Sequence, residues 1–354
     1  MDAPKLVNDI LPHASFLGLE QRLLARWRGR PSPAAGRLVV GFSGGADSLA
    51  LALALGRIAG RAAVQIVLAH IDHRQRSSSG EEAERARALA AGLNLAFATR
   101  HIPEQIIQRH VGVGREEALR RERYRLLATI ANEQAADALA LAHHADDQAE
   151  TILLHLLRGA GGRGAAAMAE WTERPVPWWP ETSADPMTIV VWRPFLTEPR
   201  AALRDYVSRS GLDPIEDPTN DDPLFRRNAI RRDVLPLLER IAPGAGAALA
   251  RHATLAAADD AALAAFAAAA LARASDSAGG VRVAPLRLEP AVVRGRALRA
   301  WVAESAPDVE LSAERTAAAL ALVERGRGGI EIGSGWRIDR RGGVLRLRQG
   351  GERA

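Results

Sequence analysis

Val39-Val-Gly-Phe-Ser-Gly-Gly-Ala-Asp-Ser-Leu-Ala-Leu-Ala-Leu53 (VVGFSGGADSLALAL) is the stretch from which the architecture can be read. Arg37 to Phe42 predicts a short buried strand, and Asp47 to Ile58 predicts a helix with a continuous Leu/Ala face. Gly44 and Gly45 let the backbone turn tightly between them. A strand that turns straight into a helix leaves the first helical N–H groups free, at the positive end of the helix dipole, which makes an anion site. Ser43 and Ser48 add hydroxyl donors. Asp47 would repel a bare phosphate, so it fits either as the ligand of a Mg²⁺ carried by that phosphate or as a helix cap. The segment lacks the Gly-Lys-Ser/Thr of a Walker A loop and the GxGxxG order of a dinucleotide fingerprint. The plainer alternative is an ordinary strand–turn–helix capped by Ser and Asp.

Working outward, Val64 to His70 predicts a second strand, Leu95 to Thr99 a third and Ala138 to Ala142 a fourth. Helices are predicted over Glu81 to Ala91, Arg115 to Ala131 and Asp146 to Arg158. This alternation predicts an α/β fold: a Rossmann-like parallel sheet with helices on both faces. Gly159 to Gly164 reads as a loop. Glu170 to Pro186, with Trp171, Trp178, Trp179 and several prolines, reads as an irregular surface insertion (170–187), after which Thr188 to Trp192 returns as a strand. From about residue 229 the chain reads as helical. Leu249, Leu255, Leu263 and Phe266 give the alanine-rich stretch Ala245 to Ala274 an apolar face, and Leu311 to Arg325 forms a further helix. Gly329 to Gln349 alternates about Gly342-Gly343 as a β hairpin. The expected domains are a catalytic one (1–225), a smaller, mostly helical one (226–326) and a short C-terminal β element (327–354).

The chain of 354 residues is long enough for two or three domains, and its 47% hydrophobic content suffices for a buried core. Met1 to Ile10 lacks the apolar core of a signal peptide, and no uninterrupted apolar run reaches the roughly 18 residues of a membrane span. The chain therefore reads as cytoplasmic, with no membrane partner. It has no cysteine, which excludes disulfides, thiolate zinc sites, iron–sulfur clusters and cysteine nucleophiles. Net charge is +5, and Lys5 is the only lysine. An excess of guanidinium groups suits a polyanionic partner.

SGGADS resembles the SGGxDS loop of the PP-loop ATP pyrophosphatases. Further blocks narrow the resemblance to the tRNA(Ile)-lysidine synthetases. His70-Ile-Asp72-His-Arg-Gln-Arg76 resembles their HVDHGLR block, with Arg74 and Gln75 replacing the usual Gly-Leu. Glu117-Ala-Leu-Arg120-Arg-Glu-Arg123-Tyr124 resembles EAxRxxRY. His143-His144-Ala-Asp146-Asp147-Gln-Ala-Glu150-Thr151 to Gly159 resembles HHxDDxxETxLLxLxRG. Trp192-Arg193-Pro-Phe-Leu196 resembles RPLL, and Glu216 to Asn220 with Arg227-Asn228-Ala-Ile-Arg231 resembles EDPTN…RNxIR. The blocks span roughly residues 37–240.

Several of these residues carry a reading of their own. Asp147, Glu150 and Thr151 stand at i, i+3 and i+4, on one helix face, where two carboxylates would grip an ammonium group. Ile152 and Leu156 point the other way, toward the core. Arg226, Arg227, Arg231 and Arg232 cluster at a helix start, where the dipole opposes cations, so phosphate binding explains them better than packing.

The resemblance implies ATP and Mg²⁺ as co-substrate and metal, with Ser43, Gly44, Gly45, Ala46, Asp47, Ser48, His70 and Asp72 at the nucleotide and Asp47 on the metal. It implies catalytic roles for Asp47, Asp147, Glu150 and Arg227. Arg120, Arg123, His144, Thr151, Arg193, Asn228 and Arg231 would touch substrate or tRNA. The implied partners are free L-lysine and an isoleucine tRNA with a CAU anticodon, the enzyme acting as a homodimer. The implied reaction adenylates the wobble cytidine and replaces the adenylate by lysine, giving lysidine, AMP and pyrophosphate.

The rivals explain less. Sulfur-transferring tRNA enzymes with this loop use cysteines, which are missing here. The substrate-tunnel features of NAD or asparagine synthetases are not found. A metal phosphohydrolase built on His70, Asp72, His73, His143, His144, Asp146 and Asp147 would leave SGGADS unexplained. A non-catalytic nucleotide- or tRNA-binding module would show no ATP–pyrophosphate exchange.

Overall fold

The computed structural model describes residues 14–31, 36–72, 79–103, 106–110, 112–177, 187–215 and 226–349. Its strands are β1 (Arg37–Gly41), β2 (Gln65–Asp72), β3 (Ala96–His101), β4 (Ala138–Ala140), β5 (Trp171–Val176) and β6 (Met187–Trp192), joined in one sheet in the order β3-β2-β1-β4-β6-β5. Neighbours are parallel except β5 and β6. The chain steps from β1 outward through β2 to β3, then returns to the other side of β1 as β4. This reversal opens a crevice at the carboxyl ends of β1 and β4, the usual ligand site of such sheets.

Alternation sends the strands' side chains to two cores. Leu38 and Val40 of β1 face one side, and Val39 faces the other. The first side is covered by α1 (Ala14–Arg28), α2 (Ala46–Ala62), α3 (Ser79–Gly92) and α8 (Arg200–Ser208), the intervening helices being α4 (Ile106–Arg109), α5 (Arg115–Glu133), α6 (Ala145–Leu157) and α7 (Gly162–Ala165). α2 is buried from Ser48 through Leu55, as expected of a helix apolar all round. α5 covers the second side with Tyr124, Leu127 and Ile130.

The expected irregular insertion contains strand β5. Trp171 pairs with Trp192 and Pro175 with Thr188. Pro175 hides the strand in the sequence, yet a proline is tolerated here because β5 is the edge of the sheet. Trp171 stacks on Trp192 at 5.1 Å, and Trp27 packs against Trp192 at 5.4 Å. Trp178 and Trp179 lie outside the described residues. The glycine-rich segment expected as a loop contains the single turn α7.

The chain forms two compact units, 1–254 and 255–354, so the segment expected to open a helical domain at 226 belongs with the first unit. That segment comprises α9 (Arg226–Ala229), a π-helical turn (Ile230–Val234) and α10 (Leu235–Ile241). Ile230 and Leu235 bury against Ala149 of α6, with Leu249 packed beside them.

α11 (Ala245–Ala274) follows, and its expected apolar face is divided. Leu249 and Leu263 pack inward, whereas Leu255 and Phe266 are exposed, and the buried contacts are made by Ala267, Ala270 and Ala274. Among the described residues α11 is the one helix long and apolar enough to cross a membrane by length and composition.

In the second unit α12 (Val283–Arg287), α13 (Ala291–Ser305) and α14 (Ala313–Glu324) share one core with four strands. The expected hairpin is larger than two strands. β7 (Val281–Arg282), β8 (Gly328–Gly333), β9 (Trp336–Arg341) and β10 (Val344–Gln349) form an antiparallel sheet in the order β7-β10-β9-β8. Two residues of β7 are too few to register as a strand in the sequence. Arginines close the helix ends: Arg340 donates to the carbonyls of Leu322 and Val323, Arg287 to those of Val323 and Glu324, and Arg282 to that of Arg273.

Trp192 is fully buried among aromatic and Glu170 contacts. Trp192→Ala should destabilise the first unit by about 3–5 kcal/mol, read as a lower denaturant midpoint with the second unit's transition unmoved.

Candidate active site

The turn after β1 is a closed ring of hydrogen bonds. Ser43 N–H donates to Ser48 Oγ (3.2 Å), Gly45 N–H donates to Ser43 Oγ (3.3 Å), and Ser48 Oγ–H donates to Gly45 O (3.0 Å). The Ser43 hydroxyl therefore donates to Ser48 Oγ at 3.1 Å. Both serine hydroxyls are spent on the loop's own shape and are not aimed outward as expected. The open donors are the first N–H groups of α2, whose N-cap Gly45 provides no side-chain cap. Asp47 does not cap the helix either. Gly44 has φ +82°, and a Cβ there would stand 2.4 Å from Ile215 Cδ1, so only glycine fits.

His70 reaches this loop from behind. Its Nδ1–H donates to the carbonyl of Phe42 (2.9 Å), which leaves the lone pair on Nε2. Burial lowers the His70 pKa, favouring this neutral form. Asp72, half-buried, ends β2 in register with His101.

Across the crevice, β4 leads into α6. His144 is the N-cap, and its N–H donates to Asp147 Oδ2 (3.0 Å), the return half of a capping box. The His144 ring lies 3.5 Å from Asp47 and 3.4 Å from Asp147 through Nε2, and 3.9 Å from Asp146 through Nδ1. Burial alone would lower the His144 pKa, but Asp47, Asp147 and Asp146 together raise it. Asp47 also meets Arg200 Nε at 3.6 Å, while its Oδ1 is buried without a hydrogen-bond partner. That free carboxylate oxygen at the uncapped amino end of α2 fits a Mg²⁺ that would take its other ligands from phosphate and water. Among the described residues no three His, Asp or Glu side chains gather as an all-protein metal site requires.

One helical turn further, Asp147 and Glu150 do share a face, and that face is already occupied by cations. Glu150 is fully buried and accepts from Arg227 Nε (2.6 Å) and Arg231 Nε (2.6 Å). Asp147 accepts from Arg227 Nη2 (2.9 Å) and Arg231 Nη2 (3.3 Å). Burial opposes ionisation of Asp147, but His144 and Arg227 hold its carboxyl well below the usual range. Arg227 and Arg231 are therefore bound to carboxylates here and are not open to phosphate, as the sequence suggested. Thr151 donates back to the carbonyl of Asp147 (2.7 Å), so its hydroxyl is also committed. Asn228 is buried beside the arginines. Ile152 is buried as expected, whereas Leu156 is 54% exposed, because α6 runs past the end of the core.

The remaining arginines gather around Tyr124. Arg193 is buried, donates to Ala169 O and Thr172 Oγ1 (both 3.2 Å), and bonds the Tyr124 phenol. Burial would raise that phenol's pKa, but Arg193 and Arg123 bring it below the ordinary tyrosine value. Arg174 of β5 faces the same phenol. Arg123 is exposed, and Arg120 is held by Glu117 on the outer side of α5. His143 lies among Arg193, Arg227 and Arg123, and burial with these cations keeps it neutral.

The structure thus joins Asp47, His144, Asp147, Glu150, Arg227 and Arg231 into one connected cluster and sets Arg120, Arg123 and Arg193 beside it. Arg200 and Arg174 were not anticipated. Arg200 offers only the signal of a residue after Pro199 at a helix start, and Arg174 sits on the unrecognised strand. His73 to Arg76 and Glu216 to Asn220 lie outside the described residues.

A family model for the PP-loop domain matches residues 20–238. A tRNA(Ile)-lysidine synthase of Salinispora tropica is 39% identical over 88% of this chain and 91% of its own. One from Thermobifida fusca is 37% identical over 84% and 87%. Among solved structures, the U34-tRNA thiolase NcsA of Methanococcus maripaludis, described with its [4Fe-4S] cluster, is similar at TM-score 0.53 and 17% identity, covering 68% of this chain and 80% of that one. That likeness bears on the fold alone.

Because folding raises the His144 pKa, this group's stabilisation is complete below about pH 6.5 and is lost as pH rises through the folded value. Asp147 has the opposite sign: its contribution is present above about pH 4 and fades as pH falls toward its depressed value. His144→Gln should remove this group's alkaline loss of unfolding free energy and, because His144 also helps depress the Asp147 pKa, reduce the acid limb that Arg227 still maintains. An unchanged alkaline slope in denaturant titrations would refute the assignment.

Proposed function

The chain belongs to the tRNA(Ile)-lysidine synthase family of PP-loop enzymes, and from that premise we propose how its site carries out the reaction. The enzyme is a ligase that uses ATP to form lysidine in isoleucine tRNA. One observation carries the assignment of roles: the Asp47–His144–Asp147 contacts link the open end of α2 to the acidic face of α6 across the crevice.

The triphosphate lies on the first N–H groups of α2, with Asp47 as the residue that would hold Mg²⁺, which supplies charge neutralisation when bound. The wobble cytidine of a CAU anticodon enters splayed from its stack. Its O2 attacks the α-phosphorus: the O2–P bond forms, the bond to pyrophosphate breaks, and the adenylated ring becomes cationic and electrophilic at C2. The ammonium group first loses a proton to water; the lysine ε-amine so formed attacks C2, a second proton passes to water, and the C2–O2 bond breaks with its electron pair leaving on AMP. Before that step the ammonium group of lysine competes with Arg227 and Arg231 for Asp147 and Glu150, the nearby buried carboxylates. Positioning and electrostatics supply most of the rate, as in other transfers at phosphorus. Arg120, Arg123 and Arg174 face the incoming RNA, and the buried Arg193 holds Tyr124 behind them. ATP and tRNA as substrates support a cytoplasmic setting, and the family resemblance supports a homodimer.

Purified protein given ATP, labelled lysine and unmodified isoleucine tRNA should place label in the RNA; absence of label would overturn the reading. Asp47→Asn should cut pyrophosphate release by on the order of 10²-fold with tRNA affinity retained. Glu150→Gln should slow lysine transfer far more than adenylation, and an equal loss in both half-reactions would show that this face does not hold lysine.

A further inference from the structure

The phosphate loop contains no cation: Ser43 to Ser48 offers only backbone N–H groups and an acid. In a Walker A loop a lysine reaches the β- and γ-phosphates, but the one lysine of this chain is Lys5. Backbone N–H groups and a Mg²⁺ on Asp47 would meet part of the charge that accumulates on departing pyrophosphate, and a cationic side chain brought from elsewhere in the fold would add to them.

Two cationic side chains contact Asp47 among the described residues, His144 and Arg200. His144 is fully buried and tied to Asp147, so it faces the acidic side of the crevice. Arg200 is placed differently. It is the first residue of α8, and its backbone N–H donates to Asp146 Oδ1 at 3.3 Å, which pins the start of α8 to the start of α6. Its Nε stands 3.6 Å from Asp47 Oδ2, beyond a good hydrogen bond, and that Nε is buried without a hydrogen-bond partner. The side chain is only 27% exposed. A largely covered guanidinium with an unspent donor, facing a carboxylate that also has an unspent oxygen, is arranged for a third group that satisfies both. A phosphate chain on the amino end of α2 is such a group, and guanidinium forks match phosphate oxygens.

We propose that Arg200 is a catalytic residue of the adenylation step, gripping the β- and γ-phosphates of ATP. As the bond from the attacking oxygen to the α-phosphorus forms, the bond from that phosphorus to the bridging oxygen breaks. The electron pair stays on pyrophosphate, and Arg200 faces the charge so gained. This assignment rests on the reading that α2 holds the triphosphate, and it adds a cationic side chain to that site.

The test compares wild type with Arg200→Gln, Arg200→Lys and, as a control on the same helix, the exposed Arg204→Gln. Single-turnover adenylation of tRNA without lysine should fall by about 10²–10³-fold in Arg200→Gln and recover in part in Arg200→Lys. Calorimetry should show ATP and pyrophosphate binding weakened by at least about tenfold, with AMP and tRNA binding unchanged. Arg204→Gln should match wild type. Adenylation at the wild-type rate in Arg200→Gln would overturn the assignment. So would an equal loss of AMP and pyrophosphate affinity, which would indicate displacement of α8. Failure of wild type itself to bind ATP or release pyrophosphate would instead overturn the underlying reading of the loop.

Discussion

An ionised carboxylate sealed from water is tolerable only when cations replace the water, and the first unit is organised around that constraint. Glu150 has no exposed surface, and Asp147 has little. Arg227 and Arg231 answer both with five short contacts, from positions about 80 residues further along the chain. Removing one partner of such a group leaves a buried charge uncompensated, which typically costs 3–5 kcal/mol. The π-helical turn Ile230–Val234 is consistent with this demand, since it carries Arg231, the second of the two arginines that reach the same acid. The same charges pass through His144 to Asp47, so the nucleotide end and the acidic face are electrostatically one object.

Much of the fold was legible because its causes are local. A buried parallel strand needs a short apolar run, and each of β1, β2 and β4 has one. The turn residues of SGGADS declare their geometry through Gly44, whose conformation no side chain could share. β5 was missed because Pro175 contradicts strand formation everywhere except at an edge, and edge position is a property of the sheet. The alanine-rich helix misled for a similar reason. Its largest side chains, Leu255 and Phe266, were read as the packing face, whereas close approach in the second unit runs through Ala267, Ala270 and Ala274.

The site shows the same division. The i, i+3 spacing of Asp147 and Glu150 places them on one face without any tertiary knowledge. What meets that face depends on a segment 77 residues away. The hydroxyls of Ser43 and Ser48 looked like ligand donors from composition, but their direction is set by a ring of bonds within the turn. Arginine does in this chain what lysine shares elsewhere. The same planar fork grips Glu198 from Arg22 (2.8 Å twice), closes the end of α14 through Arg340, and neutralises the acids of α6.

Among the helices that begin at the crevice, α6 and α2 treat their amino ends differently. The positive pole of α6 is plugged by the carboxylate of Asp147, while that of α2 carries no side-chain cap. A ligand with one highly charged end and one aromatic end would, on the proposed reading, turn its charged end to α2 and not to α6. On that reading, the polarity of the nucleotide would follow from which helix the protein has stoppered with its own acid.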